Sequence, residues 1–253
     1  MSGGIFSARA AAFLSLALLA AGCASAPVVE GQLIADPYEE TNRSVHAFNK
    51  GLDTALLRPV TQVYDTVTPA LIQHMVGNGL DHLSLPAIFI NRILQGDAEE
   101  AGAALARFSL NTIIGAGGLL DPATEFGLPH TPTDFGVTLA RWGAPEGAFV
   151  EAPIFGPNTE RHLVGRLVNF ALDPAILVTV GAVEVANTIM IIDATRTPLA
   201  VVRARDDNFG LIDEVLYESE DSYVTSRTGY VQARRRQVAG ETTADQAPNI
   251  FGD

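Results

Sequence analysis

One cysteine in 253 residues excludes an intrachain disulfide, so no covalent staple holds this fold. Positive charge is also scarce. Lys and Arg number 16 against 29 Asp and Glu, a formal net charge of −13. That balance disfavours nucleic acid and any generalised attraction to anionic surfaces. Sustained period-2 alternation is missing from the first half, which reads as all helix. Motifs that carry chemistry are missing as well. The histidines at 46, 74, 82, 130 and 162 lack HExxH or other tight ligand spacing, so each reads as a surface or core residue and no metal is expected. There is no G-x-S-x-G nucleophile elbow. Gly115-Ala116-Gly117-Gly118 lacks the preceding strand and following Lys-Ser/Thr of a phosphate-binding loop. The expectation is a protein that is not an enzyme and carries no cofactor, with a triad assembled from distant residues left open.

What is present is apolar: 47% of residues are hydrophobic and 18% charged. Arg9 precedes an apolar stretch, Ala10 to Ala21, that is too short to span a bilayer and leads to Gly22-Cys23. Leu19-Ala20-Ala21-Gly22-Cys23 resembles a bacterial lipobox, with Ala20 where Leu is usual. Cys23 is then the lipidated first residue of the mature chain. Acyl chains contribute ~0.8 kcal/mol per buried CH₂, so a multiply acylated cysteine anchors without a spanning helix. Ala24 follows where an Asp tends to retain lipoproteins at the inner membrane, which points to the outer membrane. The domain reading is a signal peptide over 1–22, a lipidated tether over 23–35, a helical domain over 36–237 and a disordered tail over 238–253.

Within that domain the sequence predicts helix after helix. Asp36-Pro37-Tyr38-Glu39 starts the first, with Asp36 as N-cap and Glu39 paired to Arg43 four residues on. Arg58-Pro59 is expected to close it. A second segment runs to Val67, a third opens at Pro69, and Pro86 is expected to begin another, halted by Gly96. Asp97 caps the next. Thr131-Pro132 is expected to start the helix ended by Gly143. Ala148 to Gly156 is extended, an edge or a lining because of Pro153 and Pro157. Asn158 is expected to cap the helix that follows. Pro174 to Ile192 holds one charge, Glu184, at its middle, and reads as a packed amphipathic helix rather than a span. Polar helices are expected at 209–218 and 221–237.

The chain is organised around Arg107 to Ala123. Phe108 to Leu120 is uncharged and, as a helix, would be about 20 Å long against roughly 30 Å for a bilayer core. Glu100, Arg107 and Asn111 form its polar stripe; Leu105, Phe108, Leu110, Ile113 and Ile114 cover the rest. Such a helix lies deep in a core or is partly bathed in lipid. Its glycines end it, either as a pliable hinge for the 119–131 loop or as simple termination. Asn111 is expected to bond a neighbouring helix end or to meet a headgroup. The loop carries Leu119, Leu120, Phe126 and Leu128, which should pack on something apolar. Arg227 and Arg234 to Arg236, interleaved with Tyr223 and Tyr230, either hold anionic groups or pair with Glu218, Glu220 and Asp221.

The segments DPYEETNRSVHAFNK (36–50), LLRPV (56–60), LPAIFINRILQGD (85–97), ARFSLNTIIGAGGLLDPA (106–123), DFGVTLARWGAPEG (134–147), PIFGP (153–157) and SYVTSRTGYVQARR (222–235) together resemble the MlaA (VacJ) family of outer-membrane lipoproteins. The resemblance implies an all-α fold: short amphipathic helices in a ring lying in the inner leaflet, with little or no sheet. It implies a channel that removes mislocalised phospholipids from the outer leaflet, which keeps the outer membrane asymmetric. The lipids pass to a periplasmic MlaC-like carrier, and the channel partners a porin trimer. Lipid-path or gating candidates are Leu110, Asn111, Ile114, Gly117, Gly118, Leu119, Phe126 and Phe135. The alternatives are an outer-membrane phospholipid hydrolase and a structural adaptor that transports nothing.

Overall fold

The computed structural model describes residues 33–171 and 196–241. The expected leader, Cys23, the 174–192 run and the tail beyond Glu241 lie outside the described residues. Helix α1 (Glu39–Leu52) passes through a π-turn, Asp53–Leu57, into α2 (Arg58–Val67). Then come α3 (Ala70–Leu94), α4 (Ala98–Ile113), the single-turn α5 (Pro122–Glu125) and α6 (Phe135–Arg141). An antiparallel hairpin follows, β1 (Phe149–Ala152) on β2 (Gly156–Thr159), with Phe149 opposite Thr159 and Ala152 opposite Gly156. Helix α7 is Glu160–Ala171. Helix α8 covers 196–207, and α9 (Phe209–Asp213) runs into a second π-turn, Glu214–Glu218. Helix α10 is Ser222–Ala239. The all-α expectation holds, with one small sheet among the described residues. Among the described residues no helix is long and apolar enough to cross a membrane.

Neither proline ends its helix. At Arg58-Pro59 the backbone widens, and the Arg58 amide reaches back five residues to the Asp53 carbonyl. The extra residue in that turn relieves the clash that a proline ring makes with the carbonyl four positions earlier. Pro86 sits inside α3, so the sequence-expected break there is absent. A mid-helix proline costs about 3 kcal/mol. Here Leu85, Ile88 and Phe89 pack with Ala104 of α4, and each large buried apolar side chain returns roughly 1.5–3 kcal/mol. Tertiary burial outweighs the local penalty.

Caps also moved. Asp97 caps α4 as expected, its Oδ1 accepting the Glu100 amide at 3.3 Å. The N-cap of α1 is Tyr38, not Asp36. Asp36 is instead buried, accepting from Asn42 Nδ2 at 2.8 Å and from Tyr223 Oη and Arg227 Nη1. Helix α6 begins after Asp134, whose Oδ1 accepts the Val137 amide at 3.0 Å, and not at Thr131-Pro132. Thr159, not Asn158, caps α7 by accepting the His162 amide at 3.2 Å. Asn158 lies in β2 and bonds the Gly156 carbonyl.

The distribution of polarity is inverted. Among the described residues 13 hydrophobic side chains are buried against 16 polar or charged ones, while 25 large hydrophobics are exposed. A water-soluble chain of this size does the reverse. The apolar core is small: Ile34, Phe149, Tyr223 and Val231 in one cluster, Leu85, Ile88 and Ala104 in another.

Candidate functional site

The organising helix turns its polar stripe inward. Ala101, Ala104, Arg107 and Asn111 are the buried positions of α4, whereas Leu105, Phe108, Ile113 and Ile114 face out, Ile113 at 80% exposure. Arg107 and Asn111, one turn apart, grip the loop that follows. Arg107 Nη2 donates to Asp121 Oδ2 at 2.9 Å, and its Nη1 donates to Thr124 Oγ1 at 3.0 Å and to the Leu128 carbonyl. Asn111 Nδ2 donates to Asp121 Oδ1 at 2.8 Å, and Asn111 Oδ1 accepts the Ala123 amide at 3.1 Å, at the start of α5. Burial raises the Asp121 pKa, but hydrogen bonds from Thr124, Asn111 and Arg107 outweigh it and hold the carboxyl below its ordinary range. The loop is thus fixed at its base. Its apolar members stay outside: Leu119, Leu120 and Phe126 are exposed.

The turn after α4 is packed, not slack. Gly118 lies at φ +94°, and a Cβ there would sit 2.3–2.5 Å from the His82 side chain. His82 stacks on Phe108 at 4.8 Å with the rings 3° apart, and its Nε2 lies 3.3 Å from Thr112 Oγ1. Burial lowers the His82 pKa, so the ring is neutral at neutral pH. Gly117 (φ +74°) meets open space.

Elsewhere, buried arginines and acids join segments distant in sequence. Asp53 of the first π-turn receives Arg205 (Nε 2.8 Å, Nη2 3.2 Å) and Tyr217 Oη (2.7 Å) of the second. Arg203 bonds Asp81 at 3.0 Å and the Gly77 carbonyl, pinning α8 to α3. Three of the four α10 arginines are committed as well. Arg227 pairs with Asp36, Arg234 bidentately with Asp134 (2.6 and 2.7 Å), and Arg235 with Glu146 (2.8 Å). The partners expected from sequence, Glu218, Glu220 and Asp221, are not theirs; Asp221 pairs with Arg43. Three cations within nine residues of one helix therefore bind acids from three separate segments.

A half-buried histidine gives this assembly a pH dependence. His162 has its pKa pushed down to about 3 by burial and then by the neighbouring Arg234, with Arg166 and Arg161 adding and Asp134 opposing. Its folded pKa lies below the unfolded value of roughly 6.5, so the stability it contributes is complete above pH 6.5 and is lost as pH falls towards 3. Between pH 6.5 and 5 the loss is about 2 kcal/mol from this group alone. Denaturant unfolding at both pH values should show that decrement, and His162→Gln should remove most of it.

The structure brings Leu110, Asn111, Ile114, Gly117, Gly118, Leu119 and Phe126 into one neighbourhood at the end of α4. Asn111 and Gly118 are buried, Leu110 is half-buried and the others are exposed. Phe135 lies apart, at the start of α6, its amide on Asn169 Oδ1 and its ring edge-on to Trp142. Reading the sequence did not find Asp121 as the partner of Arg107 and Asn111, nor His82 as the ring against Gly118. Separations of 14, 10 and 36 residues leave no periodic signal that would have found them.

Helices with an apolar exterior, a polar interior and no spanning segment among the described residues define a membrane-associated helical protein. A family profile narrows that class. The chain belongs to the MlaA lipoprotein family, whose profile matches residues 34–237. It is 32% identical over 240 residues to the Shigella flexneri intermembrane phospholipid transport system lipoprotein MlaA, covering 91% of this chain and 89% of that one. The Escherichia coli K12 protein of the same name is 31% identical over the same spans. A Rickettsia felis protein is 32% identical over 206 residues, 80% of this chain and 78% of its own. A solved structure, described as the structural basis for maintenance of bacterial outer membrane lipid asymmetry, superposes with a TM-score of 0.65 at 26% identity. It covers 81% of this chain and 99% of that one.

Proposed function

We propose that this protein is an outer-membrane lipoprotein, anchored through Cys23 and facing the periplasm. It forms a channel that takes mislocalised phospholipids out of the outer leaflet and passes them to a periplasmic carrier. The observation that carries the reading is the inverted polarity: exposed Leu, Ile, Val and Phe around buried Asn, Arg, Asp and His. A phospholipid crossing a bilayer must move a charged headgroup through roughly 30 Å of hydrocarbon, which is prohibitive unaided. A ring of helices with polar groups inside and an apolar rim lowers that barrier while the tails stay solvated by Ile114, Leu119 and Phe126. Backbone groups bathed in lipid must be satisfied locally, which helices achieve. No bond is made or broken. Lipids enter because they are less stable in an asymmetric outer leaflet than on the carrier, so no nucleotide is consumed here. The relatives' names, which specify intermembrane phospholipid transport, support the same reading. A porin trimer at the ring's edge and an MlaC-like carrier below it are the partners this mechanism calls for.

The test is a deletion strain scored for surface phospholipid by lipid A modification, the gain of an acyl chain transferred from surface phospholipid. The wild-type gene should restore a low signal and Cys23→Ser should leave it high, because the unacylated chain is mislocalised. A deletion strain with no rise in signal would exclude the transport role and leave the adaptor reading.

A further inference from the structure

We infer that the turn of the β-hairpin, Pro153-Ile154-Phe155, is a lipid-inserting tip that dips into the acyl-chain region of a phospholipid bilayer. The inference rests on the membrane placement proposed above and adds which part of the chain enters the hydrocarbon. All three residues are exposed, Ile154 at 62% and Phe155 at 55%. Ile154 holds φ +70°, a left-handed conformation that a β-branched residue adopts at a cost of roughly 1–2 kcal/mol. The tight hairpin and the bond from the Ile154 amide to Asn49 hold that conformation, and the side chain points outward. The turn thereby presents Ile154 and Phe155 to the surroundings and not to the core.

The backbone of the turn identifies the medium. Groups entering hydrocarbon need their hydrogen bonds made beforehand. Pro153 and Pro157 have no amide to satisfy. The Ile154 amide donates to Asn49 Oδ1 at 2.8 Å, and Asn49 Nδ2 donates to the Ala152 carbonyl at 3.0 Å. Arg166 Nη1 caps the Phe155 carbonyl and Asn158 Nδ2 the Gly156 carbonyl. Four backbone groups at or beside the turn, the Ile154 amide and the Ala152, Phe155 and Gly156 carbonyls, are thus satisfied within the protein before it meets hydrocarbon. Arg166 also lies over the Phe155 ring at 4.8 Å, a cation at the rim of an apolar wedge, as at bilayer interfaces.

The test uses the full lipoprotein, purified from membranes and reconstituted into phosphatidylethanolamine–phosphatidylcholine vesicles. Phe155→Cys carries a nitroxide, with Thr225→Cys on α10 as the reference and the parent protein as the labelling control. Vesicle flotation is scored first. The label at 155 should be at least threefold more accessible to oxygen, relative to a nickel chelate, than the label at 225. Pro153→Cys provides a second reading if Phe155→Cys lowers the helical circular dichroism, and it should behave the same way. A protein that floats with a nickel-accessible tip overturns this inference alone. A protein that does not float overturns both this inference and the channel reading.

Discussion

Asp121→Ala should lower stability by about 3–5 kcal/mol, the range for removing one partner of a buried ion pair. The mutation leaves the Arg107 guanidinium, whose side chain is 4% exposed, without its anion in a site water hardly reaches. Only the neutral Thr124 hydroxyl and Leu128 carbonyl remain to Arg107, and its Nε has no hydrogen-bond partner. Asn111 Nδ2 loses its acceptor at the same time. For a domain of this length each kcal/mol moves the midpoint by roughly 2–4 °C, so thermal unfolding in detergent should show a drop near 10 °C. The 119–131 loop should become sensitive to limited proteolysis, and the surface-phospholipid signal should rise. Replacing both partners, Arg107→Met with Asp121→Leu, should recover at least half the stability, because matched apolar groups often equal a buried pair. A midpoint within about 2 °C of wild type for Asp121→Ala would show that the pair does not hold the loop.

Gly118→Ala is the second large effect. Its methyl would sit 2.3–2.5 Å from His82, closer than any ordinary contact, on a backbone at φ +94°. Overpacking of this kind costs about 1–3 kcal/mol and the left-handed strain roughly 1–2 more. His82 has no easy escape, since Phe108 is stacked on it and Thr112 bonded to it. A loss near 3 kcal/mol is expected in denaturant titration. The neighbouring Gly117→Ala, with φ +74° and empty space around it, should lose only the strain, about 1 kcal/mol. Adding His82→Ala to Gly118→Ala should recover the steric part and leave the strain. Equal losses at 117 and 118 would mean that the contact with His82 carries no weight.

How much of this was legible beforehand differs by element. The Asp97 cap, the pair of Glu39 and Arg43 and the stop at Gly143 depend on residues within four or five positions of one another, and all appear where the sequence puts them. Pro59 and Pro86 do not end their helices, because a widened turn at the first and burial against α4 at the second outweigh local propensity. Asp36 likewise leaves its cap for distant partners. Its side chain is well placed to cap, but Tyr223 and Arg227, some 190 residues away, make a stronger claim on it.

From the sequence alone came the helical class, the membership of the MlaA lipoprotein family and the two faces of α4, because composition, motif order and helical period are properties of short stretches. Only the tertiary structure decided which face turns inward. Periodicity divides Arg107 and Asn111 from Phe108 and Ile113, but it cannot say which side meets the surroundings. Asp121, Thr124 and the Leu128 carbonyl settle that by arriving from a later segment to satisfy the polar stripe. With its charges paired inside, the helix leaves its apolar side to the outside.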